Sequence, residues 1–283
     1  YQDGTDPNTH DEYNPTPDLE LGLVAYYSFD GDANDYSGNG NDGFGHGGIS
    51  YTNGVNGQAA SFDGIDDFLT ISSSALLRPK SYSYSFWLET EQTSKASVLT
   101  SMYKNGYNNT SGFQFNINYT YQDSTYALAE HMTRPTGNWG AKTSTETNLL
   151  GGWKHVVVSY DGLTISLYIN GTLIDEFNPS GTQYYSGDIY WNEPYGNLYI
   201  GKNGDNGRSN YNLFDGKLDE LRLYNRPLSS AEITELYEFD LASSPVDLQQ
   251  GLIAKYEMNG DGTDSSGNNH HAIRLDALAD EDR

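Results

Sequence analysis

The chain has no cysteine, and only 15 lysine and arginine residues stand against 39 aspartate and glutamate. The first absence excludes disulfides and thiolate metal sites, although a large domain can be secreted without covalent staples. The second gives a formal net charge of −24. Such a field repels nucleic acid and anionic membrane surfaces, and it suits divalent cations. A saline habitat is an alternative source of the same acidity. No apolar run approaches the ~18 residues of a membrane span. No signal peptide precedes Tyr1, so the sequence reads as a mature form or a fragment. The histidines, His10, His46, His131, His155, His270 and His271, show no zinc-ligand spacing.

What is present begins with an internal repeat. Residues 18–44 read DLELGLVAYYSFDGDANDYSGNGNDGF, and residues 247–273 read DLQQGLIAKYEMNGDGTDSSGNNHHAI. In one register Gly22, Leu23, Ala25, Tyr27, Gly31, Asp35, Ser37, Gly38 and Asn39 meet identical residues. Self-similarity of this kind signals an array of like units. The chain therefore divides into a polar, Pro-punctuated linker or arm (1–18), one whole domain (19–242), and a linker with the partial start of a second repeat (243–283).

Within the domain the hydrophobic period is two. Leu23 to Phe29, Phe68 to Ile71, Tyr82 to Leu88, Phe113 to Tyr119 and Val156 to Tyr160 read as strands. Asp161-Gly162 and Asn170-Gly171 predict two tight hairpins and hence a three-stranded meander. A single helix is expected over Ser230 to Phe239, with Ser229 and Glu232 as a capping box. The expected fold class is all-β: an antiparallel β-sandwich (jelly roll) with one short C-terminal helix.

Six separated motifs then fall in a familiar order: GLVAYYSFDGDANDYSGNGNDG, AASFDGIDDFLTI, SYSFWLE, GGWKHVVVSYDGLTISLYINGTLI, NLYIGKN and FDGKLDELRLYNRPLSSAEITELY. This order resembles the laminin-G-like, concanavalin-A-like jelly rolls of secreted proteins, across roughly residues 19–242. The fold carries lectins, adhesion modules, glycanases and plain spacers, so the resemblance implies architecture more than activity. It also implies a Ca²⁺ ion tying the first loop to an aspartate on the last strand.

The loop from Asp30 to Gly43 packs carboxylates, amides and glycines, a composition that suits an oxygen-ligated Ca²⁺. The expected ligands are Asp30, Asp35, Asn41 and, by the resemblance, Asp219. The alternative is an Asx-turn loop with its acids merely solvated. Asp63, Asp66 and Asp67 read as a structural turn. Trp87 and Trp153 read as core residues, whereas Trp139 and Trp191 sit in irregular segments. With Tyr190 and Tyr195 they are the candidate aromatic platform for a glycan or cell-surface ligand, or else they pack loops onto the sandwich. The glucanases that this fold resembles carry Glu-x-Asp-x-(x)-Glu on one strand. Here the nearest run, Glu89 and Glu91, lacks the central Asp, so no catalytic residues are expected. His155 reads as a satisfied sandwich residue.

Two readings follow. One is an extracellular (secreted or cell-surface), calcium-binding, non-enzymatic carbohydrate-binding or adhesion module. The other is a structural subunit of a filament or tandem array, self-associating through residues 247–273, since an unpaired strand seeks a sheet edge.

Overall fold

The computed structural model describes residues 18–100, 103–104, 110–121, 124–133, 139–144, 149–177, 196–204 and 212–243. The arm before Asp18 and the partial repeat lie outside them. The chain divides into two compact units, Tyr1–Ser244 and Pro245–Arg283, and every described residue belongs to the first.

The early strands are β1 (Leu23–Tyr27), β2 (Gly43–His46), β3 (Ser50–Asn53), β4 (Gln58–Asp63) and β5 (Phe68–Ile71). Next come β6 (Tyr82–Glu89), β7 (Ala96–Thr100), β8 (Tyr103–Lys104), β9 (Thr110–Ser111), β10 (Phe113–Tyr121), β11 (Ser124–Thr133) and β12 (Trp139–Ser144). The last are β13 (Lys154–Tyr160), β14 (Ile165–Ile169), β15 (Thr172–Phe177), β16 (Leu198–Ile200) and β17 (Asp215–Tyr224), followed by the helix α1 (Ser230–Ser243). Sheet A runs β15-β14-β13-β6-β17-β4-β3, with β1 also paired to β17; sheet B runs β12-β11-β10-β7-β16-β5-β2. The result is the expected antiparallel sandwich. Among the described residues no helix is long and apolar enough to cross a membrane.

The alternation seen in the sequence sorts side chains as a pleated strand requires. From β6, Tyr82, Tyr84, Phe86 and Leu88 enter the core between the sheets, where they meet Phe113 and Phe115 of β10. Tyr82 and Phe113 stack with centroids 4.9 Å apart. The intervening Ser83, Ser85 and Trp87 are buried as well, on the outer face of sheet A. There Ser83 accepts the Leu228 amide at 2.8 Å, and the Trp87 ring stacks on Tyr237 of α1 at 5.5 Å. Trp87 is thus buried beneath the helix and not between the sheets. A second apolar cluster, Val157, Tyr168, Tyr224, Leu228, Ile233 and Leu236, seats α1 on that face.

Local signals hold with three corrections. Asn170 (φ 50°) and Gly171 (φ 73°) make the two-residue hairpin between β14 and β15, with Ile169 opposite Thr172. The Asp161-Gly162 turn is instead a four-residue loop, with Tyr160 opposite Ile165. The Asp161 carboxylate accepts the Leu163 and Thr164 amides, both at 2.7 Å, and so closes a longer turn. The helix starts as expected: the Ser229 amide donates to Glu232 at 2.7 Å, and Ser229 Oγ accepts the Glu232 amide at 3.3 Å. It runs on to Ser243, past the expected Phe239, because Asp240 is buried against sheet A. Trp153 is only half-buried, in the segment before β13, with the Lys217 ammonium 5.9 Å from its ring centroid. Gly151 and Gly152 before it are exposed and bring no side chain to cover it.

Candidate functional site

The first loop folds back over β1. Asp35 organises it by accepting the amides of Tyr26 (3.0 Å) and Ser37 (2.9 Å) on Oδ1 and of Asn41 (2.8 Å) on Oδ2. Burial by itself would raise the Asp35 pKa, but hydrogen bonds from Ser37 and the Asn41 and Tyr26 amides hold it below the usual carboxylate value. Asn41 is buried and equally committed. Its carbonyl accepts the Tyr27 hydroxyl at 2.6 Å, its amide group donates to the Val24 carbonyl at 2.9 Å, and its Oδ1 accepts from Ser74 at 3.0 Å.

Asp219 sits elsewhere, at a bulge. In β17, Asp219 faces Trp87 of β6 but Arg222 faces Ser85, so one extra residue is inserted, and Glu220 takes φ 52°. The other edge of β17 changes partner at the same point, from β4 (Leu218 opposite Ala60) to β1 (Leu221 opposite Tyr27). Into that break points the fully buried Asp219 carboxylate. It accepts the amides of Val55 (2.7 Å), Asn56 (3.0 Å) and Glu220 (2.8 Å). From the other side of the Asn53–Gln58 turn, Asp30 accepts the Gln58 amide at 2.6 Å. Glycine is required at two turn positions. A Cβ at Gly54 would lie 2.4 Å from Asp219 Oδ2, and one at Gly57 (φ +68°) would lie 2.0 Å from Asp30 Oδ1.

The four expected ligands therefore form two pairs: Asp35 with Asn41 under the loop, and Asp30 with Asp219 about the 53–58 turn. The buried surroundings of Asp219 are rich in acid. Glu220 accepts the Tyr26 hydroxyl at 2.9 Å and pairs with Arg222. Arg222 also pairs with Asp240 of α1 at 2.9 Å, and Trp87 Nε1 donates to the same carboxylate at 2.9 Å. Two buried carboxylates, Glu220 and Asp240, thus share one buried guanidinium, and the buried Asp219 has none. Burial, the larger cause, and the neighbouring Glu220 charge push the Asp219 pKa up to about 7. Burial likewise raises Glu220 to about 7, against the pull of Arg222. An all-oxygen donor set with surplus negative charge has the chemistry of a Ca²⁺ site.

A second acidic locus is the turn between β4 and β5. Among the described residues, Asp63, Asp66 and Asp67 form the one acidic trio whose carboxylate oxygens lie within 4.8 Å of one another, and such a trio could hold an ion. Its structural role is also plain. Asp67 accepts the Gly48 amide (2.5 Å) and the Asp63 amide (3.1 Å), and Asp63 accepts that of Ile65 (2.8 Å).

The other candidates are placed as follows. Trp139 opens strand β12, so its backbone is regular, and Trp191, Tyr190 and Tyr195 lie outside the described residues. Glu89 is tied to Lys217 at 2.6 Å, and Glu91 is exposed. His155 is fully buried, its Nε2 2.7 Å from Ser85 Oγ, and burial lowers its pKa to about 3. It is a neutral packing residue. The bulge escaped the period-two reading, yet a signal existed: Leu218, Leu221 and Leu223 all enter the core, a spacing that needs one inserted residue.

A two-sheet antiparallel jelly roll with loops clustered about a last-strand aspartate defines a lectin-type sandwich. The chain belongs to the concanavalin A-like lectin/glucanases superfamily, a laminin-G family model of which matches residues 63–234. Among solved structures it is similar to domain 4 of an extracellular arabinanase from Geobacillus stearothermophilus, in complex with arabinotriose. The identity is 23%, the match covers 76% of this chain and 98% of that one, and the TM-score is 0.56. It is also similar to the binding domain of Paraclostridial Mosquitocidal Protein 1 (17% identity, 78% and 52% covered, TM-score 0.57). A third is the receptor binding domain of a botulinum neurotoxin C/D mosaic serotype (14% identity, 78% and 52% covered, TM-score 0.58). The chain spans about half the length of the two toxin domains. No curated protein matches the sequence.

Proposed function

We propose that the chain is an extracellular, non-catalytic carbohydrate-binding module stabilised by Ca²⁺. The observation that carries this reading is the whole-domain likeness to the arabinanase domain solved with arabinotriose, which this chain covers over 98% of its length. The carboxylates support a binding role over a catalytic one. Glu89 is held by Lys217, and Asp219 and Glu220 are buried away from any substrate. Trp139, Trp191, Tyr190 and Tyr195 are the proposed platform for the glycan or cell-surface ligand. Alanine at Trp191 is expected to weaken glycan binding with little change in melting temperature. A large loss of stability with unchanged binding would assign it to packing.

For the ion, Asp30 and Asp219 are the proposed ligands, with Asp35 and Asn41 shaping the loop beside them. When bound, the ion supplies positive charge to a buried acidic cluster and joins the two ends of the domain. Ligand binding to the native state adds about 2.7 kcal/mol at a hundredfold excess over Kd. Chelation should lower the melting temperature, and Asp219→Ala should abolish that response. Identical melting with and without chelator overturns the calcium claim.

A second reading rests on the repeat. Its conserved positions are those that clasp the loop to β1: Asp35 as above, Ser37 donating to the Val24 carbonyl (3.1 Å), and Asn39 donating to the Leu23 carbonyl (3.1 Å). The second copy keeps these as Asp264, Ser266 and Asn268. We propose that residues 247–273 offer this unit to a neighbouring molecule, because β1 already fills its own place on β17. Deleting residues 247–283 should then abolish assembly and spare the sandwich. A full chain that sediments as a monomer at high concentration with calcium rules this out.

A further inference from the structure

Four Asn-x-Ser/Thr triplets run through the sequence, beginning at Asn108, Asn109, Asn118 and Asn170. Such a triplet, with x other than proline, is the acceptor pattern for N-linked glycosylation on the surface loops of secreted proteins. The pattern is short, and by itself it does not distinguish a working acceptor from a chance match. Asn108 and Asn109 lie outside the described residues. The fold separates the other two.

Asn118 is committed to the fold. It stands half-buried in β10, and its Nδ2 donates to the carbonyls of Gln92 (2.5 Å) and Ser94 (3.3 Å). A sugar on that nitrogen would replace one of its two hydrogens and crowd the 92–94 segment that it holds. Asn170 is the reverse case. It is exposed, at φ 50°, in the two-residue turn between β14 and β15, and the exposed Thr172 completes its triplet. Its Oδ1 accepts the His155 amide at 2.9 Å, and its own amide donates to the His155 carbonyl at 2.9 Å. The side chain is therefore oriented through its oxygen, and its Nδ2 has no partner among the described residues. Glycosylation uses only the nitrogen, so the bond to His155 survives it. The setting also suits a bulky polar group. β15 is the outermost strand of sheet A, where Leu173 is 46% exposed, and three strands separate it from β17. A sugar at this hairpin tip covers part of an open sheet edge, the feature that natural proteins protect against pairing with other chains.

We infer that Asn170 is an N-glycosylation site, an inference that rests on the extracellular reading above. The co-reactant is an oligosaccharide carried on a polyisoprenyl diphosphate and transferred by an oligosaccharyltransferase. Asn170 Nδ2 bonds to the anomeric carbon of the first sugar as that carbon's bond to the phosphate oxygen breaks. The diphosphate leaves with the bonding electron pair, and one Nδ2 proton passes to a base of the transferase. The product is a neutral secondary amide whose oxygen still accepts the His155 amide.

The test is expression of the full chain behind a secretion leader in a eukaryotic host, with peptide mapping by mass spectrometry of both the medium and the cell fraction. The Asn170 peptide should carry a glycan that peptide-N-glycosidase removes. Thr172→Ala should abolish it while keeping Asn170 and its bond to His155, and Thr172→Ser, which keeps the triplet, should retain it. Occupancy at Asn118 should be at least tenfold lower than at Asn170, and Thr120→Ala should leave the Asn170 glycan in place. A chain that reaches the medium bare at Asn170 overturns the site and leaves the extracellular reading standing. A glycan at Asn118 with none at Asn170 overturns the site as well. A chain modified at Asn170 but retained in the cell upholds the site and counts against the extracellular reading. A retained chain bare at Asn170 overturns both.

Discussion

Asp35 and Asp219 each accept three main-chain amides, yet they are opposite in electrostatic character. Asp35 is half-buried, and its hydrogen bonds hold its pKa below the ordinary value. Asp219 is fully buried beside Glu220, and its pKa rises to about 7. The Ser37 side chain adds to the amides in lowering Asp35, whereas burial and the neighbouring Glu220 charge outweigh the amides at Asp219. Around Asp35 the chain itself has satisfied the carboxylate, and the result is a self-contained clasp. Around Asp219 it has left surplus negative charge in a protected break between strands. In the proposed function it is the second arrangement, and not the first, that holds the cation.

The sharpest way to test this contrast is to remove Arg222, the buried cation of that cluster. Arg222→Ala strands Glu220 and Asp240, and breaking a buried pair in this way typically costs about 3–5 kcal/mol. Urea unfolding at pH 8 should show that loss; a change below about 1 kcal/mol would mean the cluster does not hold α1 to the sheet. The next effect is one of pH. His155 in the buried region has its pKa lowered to about 3, below an unfolded value near 6.5. Between those values the unfolded chain binds the extra proton, so acidification removes stability on the order of a few kcal/mol. Compared with His155→Gln, wild type should therefore lose its relative stability as pH falls from about 7 to about 4. A gap that stays constant with pH would show that His155 is not held neutral.

On the other side of the comparison, Asp35→Ala leaves three amides without their acceptor and should cost about 1–3 kcal/mol. Its response to chelator should persist, unlike that of Asp219→Ala; loss of the response in both would merge the two regions into one site. The smallest expected effect lies far from either. Ser229→Ala removes the helix cap and should cost about 1 kcal/mol in thermal unfolding. A markedly larger loss would mean that the cap also anchors the segment leading from β17.

Much of this molecule was legible as local pattern. The Tyr-Ser-Tyr-Ser-Phe run of β6, the Asn170-Gly171 hairpin and the Ser229–Glu232 box each follow from nearest-neighbour sterics and short-range hydrogen bonds. Asp35 was marked by its return in the partial repeat, and the structure shows why those positions recur: they bond to one another and to β1. Less legible were Trp87, whose place beneath α1 depends on the helix, and Asp161-Gly162, where the Asx bonds lengthen the turn.

The sequence by itself determined the all-β class, the strand alternation and the superfamily, since these are set by periodicity and by motifs read along the chain. Only the tertiary structure decided that Asp219 is buried in a break between strands, held by the amide of a residue 164 positions earlier. It alone decided, too, that Asn118 is tied to the carbonyls of Gln92 and Ser94. The physical reason is the same in both cases. Burial and partnership are set by which strands pair across long separations, and the side chains on any one strand do not encode that pairing.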